Sequence, residues 1–329
     1  MNTRISSFIQ SSDSFERLGG VYALDNLVDL EGVESSVKFA RYTQALKTVL
    51  RGKDINPMQP AAVALGKLCR PGGALTSELV ESEVNNAIEW LQNDRIEERR
   101  YAAILVLREL SRAVPTLMWQ YVAMVLEWVW VGLRDVRQLI RTASAETVCA
   151  ALRIIRERDK TVSDACVVKL YNEAISAVKP GAAPASVEHV HGSLLCLKEL
   201  LENGGMFMTP HYQAACDAAL RFRDHRDPMV RKTVVSLIPD LASYSPVDFA
   251  NVHMHKFMAH LISMLKNPKE RNDAFIAIGN IASSVKSSIA PYLDAILINV
   301  REGLSVQSRK RGSIDPVFDC ISRLAVSVG

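Results

Sequence analysis

Three groups of residues in this 329-residue chain have types and spacings that could do chemistry. The first is Asp224-His225-Arg226-Asp227-Pro228, whose His-Arg-Asp triplet matches the loop in which protein kinases hold a catalytic base. Such a loop needs an asparagine five positions after the aspartate to hold a metal ion, and Lys232 stands there instead. No Gly-rich phosphate loop, Val-Ala-Ile-Lys strand or Asp-Phe-Gly sequence accompanies the triplet, so Asp227 reads as a turn residue. The second group is His253, His255 and His260. Positions 253 and 260 share a helical face but 255 does not, and no carboxylate or cysteine stands at ligand spacing. These, like His189 and His191, read as ordinary helical histidines. The third group is the cysteines, Cys69, Cys149, Cys166, Cys196, Cys216 and Cys320, scattered without a Cys-x-x-Cys pair. They read as reduced, buried, small apolar residues of a cytosolic protein. With no Gly-x-Ser-x-Gly elbow, Walker loop or dinucleotide fingerprint, no catalytic, cofactor-binding or metal-binding residue is assigned.

Two further groups are suited to binding. Trp119, Tyr121, Trp128 and Trp130 crowd the first helix of one repeat; 128 and 130 cannot share a helical face, so one of them is expected to point outward as an anchor for a protein partner. Basic clusters stand at Arg95 with Arg99-Arg100, at Arg221 with Arg223 and Arg226, and at Arg309-Lys310-Arg311. Most read as solvated helix ends and turns. The Arg309–Arg311 cluster lies in a loop away from any repeat-defining position, and so is the candidate for contact with an acidic partner or an anionic headgroup.

The elements that must position these residues follow from the whole chain. Hydrophobic residues make up 48% and charged residues 23%, an ordinary folded composition, and a single core would strain to fill this length. The net charge of +3, from 39 basic and 36 acidic side chains, supplies no field strong enough to hold a nucleic-acid backbone. The start of the chain, Met1 to Phe8, has no apolar core of signal-peptide length. The most apolar stretch, Tyr121 to Leu133, contains Glu127 and falls short of the ~20 residues a membrane-spanning helix needs, which predicts a soluble chain with no transmembrane segment.

Self-similarity decides the fold class. Aliphatic anchors recur at Leu24, Leu65, Leu107, Val148, Leu197, Ile238, Ile278 and Ile321, at intervals of 41, 42, 41, 49, 41, 40 and 43 residues. Each has an apolar residue three positions on: Leu27, Leu68, Leu110, Ala151, Leu200, Leu241, Ile281 and Leu324. That step places both side chains on one helical face, and the intervals match the ~40–47 residues of HEAT and armadillo repeats. Seven positions before the anchor stands an arginine in five repeats, Arg17, Arg100, Arg141, Arg231 and Arg271; Met58, Val190 and Ile314 are the exceptions. A turn signal precedes it at Asp13, Asp54, Asp94, Asp135, Asp227-Pro228 and Asn267-Pro268, where Asp or Asn can cap the second helix. The turn arginines are expected to pair with turn carboxylates of neighbouring repeats.

The prediction is an all-α, right-handed HEAT-repeat superhelix of about eight helical hairpins over residues 1–329, with a longer inter-repeat loop at 179–186 as the candidate hinge. Glycines at Arg70-Pro-Gly-Gly73 and Asn203-Gly-Gly205 follow second helices, as C-terminal caps should. The last helix, 316–328, carries Ile321, Leu324, Ala325 and Val328 as an apolar stripe with no polar outer face, which implies a continuing solenoid or a covering partner.

Particular strings carry a resemblance beyond the generic register. Glu83-Val-Asn-Asn-Ala-Ile-Glu-Trp-Leu91, Asp94-Arg95, Glu98-Arg-Arg100, Ala102-Ala-Ile-Leu-Val-Leu-Arg-Glu-Leu110 and Val114-Pro-Thr116 resemble the N-terminal HEAT region of the target-of-rapamycin (TOR) serine/threonine kinases, of the phosphatidylinositol-kinase-related class. So do Glu16-Arg-x-Gly-Gly20, His191-Gly-Ser-Leu-Leu-Cys-Leu-Lys-Glu-Leu200, Lys269-Glu-Arg271 with Ala274-Phe275, and Val317-Phe-Asp-Cys-Ile-Ser-x-Leu-Ala325, in order along nearly the whole chain. Lys179 to Ser186 is not a family motif. The resemblance implies a non-catalytic scaffold segment of a large protein kinase whose ATP, magnesium and rapamycin sites lie elsewhere. It implies partners in raptor-like regulatory subunits and a second TOR protomer, within TORC1- and TORC2-type complexes that serve growth signalling. The implied location is the cytoplasm, with peripheral association at the vacuolar or lysosomal membrane through the complex. The alternative is a generic HEAT adaptor such as a transport receptor or a phosphatase scaffold, which would share the register but lack the 83–116 strings.

Overall fold

The computed structural model describes residues 3–31, 36–158, 165–181, 183–307 and 315–329. Sixteen α-helices of seven or more residues among these residues follow one another as eight helix–turn–helix units. They are α1 (Thr3–Ile9), α2 (Ser14–Glu31), α3 (Ser36–Leu50), α4 (Met58–Cys69), α5 (Ala74–Asn93), α6 (Glu97–Ala113), α7 (Val122–Leu133) and α8 (Gln138–Arg158). The series continues with α9 (Ala165–Ser176), α10 (Val187–Asn203), α11 (Tyr212–Phe222), α12 (Pro228–Tyr244), α13 (Met254–Leu265), α14 (Arg271–Val285), α15 (Leu293–Gln307) and α16 (Asp315–Val328). No strand occurs among the described residues. Two compact units divide the chain, residues 1–170 and 171–329, and the division falls inside α9, ahead of the 179–186 loop.

Within each unit the even-numbered helices pack side by side as an inner row, and α1, α3, α5, α7, α11, α13 and α15 pack on their own partners. In the first unit the row is α2, α4, α6 and α8; in the second it is α10, α12, α14 and α16. A helix in mid-row is enclosed by both row neighbours and its own partner, and the sequence answers with side chains that are apolar or small around the helix. In α6 every residue from Tyr101 to Ser111 is buried. In α4, Ala61, Ala62, Ala64, Leu65, Gly66, Leu68 and Cys69 are buried. Two glycines set how closely the row packs. A Cβ on Gly66 would lie 3.1 Å from the Glu109 carbonyl oxygen, and one on Gly279 would lie 3.1 Å from the Cα of Cys320, so the neighbouring helices approach backbone to backbone.

The repeat register holds for the first seven anchors, Leu24 to Ile278, all with no exposed surface. Leu68, Leu110, Ala151, Leu200, Leu241, Ile281 and Leu324 are buried as well. Three details differ from the sequence reading. In the first hairpin Leu27 is half-buried and Val28 enters the core in its place. In the eighth, Ile321 is half-buried and the inward position is Cys320, with Val317 and Leu324, because the close pass at Gly279 turns that face of α16 inward. The apolar stretch around α7 also runs longer than the sequence indicated: Pro115–Leu133 is a continuous helical run of 19 residues, long and apolar enough by composition to cross a membrane, as is Arg271–Glu302. In the first of these runs Met118, Val122, Val125, Leu126, Val129 and Leu133 are buried within the unit.

The loop after α9 is tied down where it is described. Arg221 donates to the Lys179 carbonyl, and Ser186 caps α10 by accepting from the His189 N–H at 3.2 Å. Gly72 after α4 (φ 79°) and Gly205 after α10 (φ 51°) have the positive φ predicted for helix-terminating glycines, whereas Gly73 (φ 93°, ψ 177°) stands as the N-cap of α5.

Candidate functional site

Six of the described turns that join the two helices of a hairpin are built on the same chemistry. The turn Asp or Asn accepts a backbone N–H two residues on: Phe15 to Asp13 at 2.8 Å, Asn56 to Asp54 at 3.2 Å, Ile96 to Asp94 at 2.8 Å, Arg137 to Asp135 at 2.8 Å, Met229 to Asp227 at 2.8 Å and Lys269 to Asn267 at 3.1 Å. This satisfies donors that the start of the second helix leaves orphaned. Asp227, the aspartate of the kinase-like triplet, is thereby an N-cap, and His225 Nδ1 accepts its backbone N–H at 3.1 Å.

The turn arginines complete the pattern. Each donates to a carbonyl at the end of its own first helix or turn: Arg17 to Ser11 (2.6 Å), Arg100 to Arg95 (2.8 Å), Arg141 to Asp135 (2.7 Å), Arg231 to His225 (2.9 Å) and Arg271 to Leu265 (2.7 Å). Three also reach the carboxylate of the following turn: Arg17 to Asp54 at 2.5 Å, Arg100 to Asp135 at 2.7 Å and Arg231 to Glu270 at 2.9 Å. The expected pairing along one edge is therefore present, and it also closes helix ends. Asp54 is held below the usual carboxylate range: partial burial opposes this, but hydrogen bonds from Arg17, Ser14 and the Asn56 N–H outweigh it. At the exceptional positions 58 and 190, Met58 and Val190 are buried, so the same register position points inward when it is apolar. Ile314 lies outside the described residues.

A second set of ion pairs, which the sequence reading missed, links adjacent second helices. Asp25 of α2 meets Lys67 of α4 at 2.9 Å, Arg108 of α6 meets Glu146 of α8 at 2.6 Å, Lys198 of α10 meets Asp240 of α12 at 3.3 Å, and Lys232 of α12 approaches Asp273 of α14 at 3.6 Å. Arg108 is buried and is also bound by Glu109 at 2.7 Å. Burial pushes the Asp240 carboxyl up, against the pull of Lys198. The only signal available in sequence was opposite charge one repeat apart beside an anchor, as in Asp25/Lys67 and Lys198/Asp240.

Of the residues singled out for binding, Trp130 is buried at 7% exposure, under the Arg134 guanidinium at 5.1 Å, and cannot serve as a surface anchor. Trp128 is half-buried on α7 and is the more outward of the two, while Trp119 lies beneath the Arg158 guanidinium at 5.0 Å. Arg309, Lys310 and Arg311 lie outside the described residues. Arg99 and Arg100 are engaged by Asp94 and Asp135, and Arg223 by Asp224; Arg95 and Arg226 are exposed. His253 is buried, and burial lowers its pKa and that of His260. Among the described residues no group of three His, Cys, Asp or Glu side chains converges as a metal site. Burial pushes the thiols of Cys69, Cys216 and Cys320 up to about 12, which leaves them protonated and poor nucleophiles. The described residues offer faces and edges on which a partner could bind.

These features define the class of protein: an all-α, HEAT-like helical solenoid. The crystal structure of the karyopherin Kap121p has a similar fold, with a TM-score of 0.59 over 98% of this chain and 34% of that one, at 13% sequence identity. No family model matches the chain. The relatives are more specific. The fission-yeast (Schizosaccharomyces pombe) serine/threonine-protein kinase tor1 is 40% identical over 329 residues, and rice (Oryza sativa subsp. japonica) serine/threonine-protein kinase TOR is 33% identical over 328. The matches take in 100% and 99% of this chain but 14% and 13% of those proteins. The chain is a segment of the TOR serine/threonine-kinase family, and spans about one seventh of its relatives' length.

Proposed function

We propose that this chain is the N-terminal scaffold segment of a TOR protein kinase, holding regulatory subunits and a second protomer in place for a kinase domain located elsewhere in the polypeptide. The observation that supports this most is the match of the whole chain to one seventh of the TOR kinases' length, combined with a fold made of repeated hairpins tied by ion pairs between neighbours. A raptor-like subunit is the proposed partner, with Trp128 on α7 and Arg309–Arg311 as contact residues. ATP and magnesium belong to the kinase domain, and the working location is the cytoplasm, with membrane association through the complex. The isolated chain is expected to show no ATP turnover.

The test is purification of the intact kinase with this segment deleted. The scaffold reading predicts loss of a regulatory subunit or of the second protomer, with phosphotransfer by the remaining kinase domain retained. Unchanged subunit composition would refute it. The fold is shared with a karyopherin at 13% identity, so recovery of nuclear-transport cargo on the isolated chain would favour the adaptor reading instead.

A further inference from the structure

The turn between α11 and α12 differs from the other five that an Asp or Asn caps. In those, the side-chain atoms that hold backbone N–H groups are carboxylate, amide or hydroxyl oxygens. Within residues 223–227 the Asp227 N–H is instead held by His225 Nδ1, at 3.1 Å. That bond needs the lone pair of a neutral imidazole. A proton on Nδ1 sets one N–H against another and breaks it.

A second histidine lies against the same turn. His260 of α13, its side chain 9% exposed, points Nδ1 at Asp224 Oδ1 across 3.6 Å, and its Nε2 is buried with no hydrogen-bond partner. The neutral ring fits this place, with its proton on Nδ1 toward the carboxylate and only a lone pair at Nε2. The protonated ring gains an N–H at Nε2 that nothing accepts, and a charged donor left buried and unbonded is costly. The charged groups facing His260 do not offset this. Asp224 is 73% exposed, screened by water and bound to Arg223 at 3.1 Å, while Glu270 is taken up by Arg231 at 2.9 Å. Burial outweighs both carboxylates and lowers the His260 pKa. Around His225 the charged groups are Asp224, Arg226 and Asp227 of the turn, and Arg231, which donates to the His225 carbonyl at 2.9 Å. Both elements that meet here therefore carry an imidazole that fits only when uncharged.

We propose that the turn between α11 and α12 is a proton-operated latch between the sixth and seventh hairpins, closed on α13 while His225 and His260 are neutral and released when they take up protons. The closed form disfavours the proton on His260, so the latch is fully closed above the ordinary histidine value of about 6.5 and loosens as pH falls below it.

The test is hydrogen exchange read by mass spectrometry on the intact kinase at pH 7.5 and 5.5, with the intrinsic pH dependence of amide exchange divided out. Peptides covering residues 223–229 and 254–265 should exchange about three- to tenfold faster at pH 5.5, tenfold being the limit for one proton taken up at about 6.5. The turn at Asp94, capped by a carboxylate, should keep its rate. The double variant His225→Asn with His260→Leu should match the wild type at pH 7.5 and lose the acceleration at pH 5.5. Asparagine places an oxygen where Nδ1 stood and keeps its lone pair, and leucine takes up no proton. Asp224→Asn, at an exposed position, should retain the acceleration, because the carboxylate is not what opposes the proton. The proposal is overturned by protection that is equal or greater at pH 5.5, by the same acceleration at the Asp94 turn, by acceleration that persists in the double variant, or by its loss in Asp224→Asn. Should the double variant be disturbed at pH 7.5, His225→Asn alone decides: a smaller acceleration at 223–229 supports the latch, and an undiminished one overturns it.

Discussion

Replacing Arg100 with methionine asks whether the turn ladder contributes stability in proportion to how deeply its carboxylate is buried. The Asp135 side chain is 2% exposed and Arg100 is 20% exposed, with their atoms 2.7 Å apart. A hydrogen bond to a charged acceptor is worth about 1.5–3 kcal/mol, and breaking a fully buried pair costs about 3–5 kcal/mol. Here water reaches the arginine side, and the Arg137 N–H remains on the carboxylate at 2.8 Å, which places R100M at about 2–3 kcal/mol. Arg17 with Asp54, exposed by 23% and 20%, falls nearer the surface regime of about 1 kcal/mol. Native-state hydrogen exchange on the 329-residue chain reads this locally, which matters because a repeat array need not unfold in one step. Amides of α6 and α8 should exchange roughly 30- to 150-fold faster in R100M, and those of α2 and α4 about fivefold faster in R17M. Adding D135N to R100M removes the stranded charge and should recover about 1 kcal/mol. Equal effects of R17M and R100M, or no recovery with D135N, would refute the burial argument.

Three other outcomes follow from the same geometry. Leu107→Ala, at a position with no exposed surface, should cost about 3–5 kcal/mol in a denaturant titration, while Leu297→Ala, 49% exposed, should cost less than about 1 kcal/mol. Gly279→Val should push α14 from α16 and accelerate exchange in α16 by about tenfold, since its Cβ would meet the Cys320 backbone, whereas Gly19→Ala, with open space around it, should be close to neutral by the same measurement. Burial lowers the pKa of His211, His253 and His260, so the folded chain takes up their protons less readily than the unfolded chain does. Their contribution is complete above the unfolded value of about 6.5 and is lost as pH falls below it, so melting temperature should drop between pH 7.5 and 5.5, and by less in His253→Gln.

Periodic features were legible in the sequence because each has a local cause. An apolar residue every turn or so, an Asp two residues before an orphan N–H and an arginine seven before the anchor can all be read along one helix, and Leu24 to Ile278, Asp13 to Asn267 and Arg17 to Arg271 are placed accordingly. What depends on the neighbouring hairpin was not legible. Ile321 and Cys320 both continue an apolar stripe, and only the contact with Gly279 selects Cys320. The pairs Asp25/Lys67 and Arg108/Glu146 join helices whose separation no local pattern encodes. Trp128 and Trp130 could be assigned opposite faces, but which face is covered depends on the packing of α7.

The turn ladder also bears on how such a chain can change length. Three turns carry a plug that meets a socket in the next, an arginine reaching forward to a carboxylate, offset by 37 residues for Arg17 and Asp54, 35 for Arg100 and Asp135 and 39 for Arg231 and Glu270. Excising or duplicating one whole hairpin sets a new plug opposite an equivalent socket, while removing ten or twenty residues leaves both unmatched and turns the anchor row out of register. Viable lengths are therefore quantised in steps of about 40 residues. The one longer step, 49 residues between Val148 and Leu197, contains the 179–186 loop and the division between the two compact units.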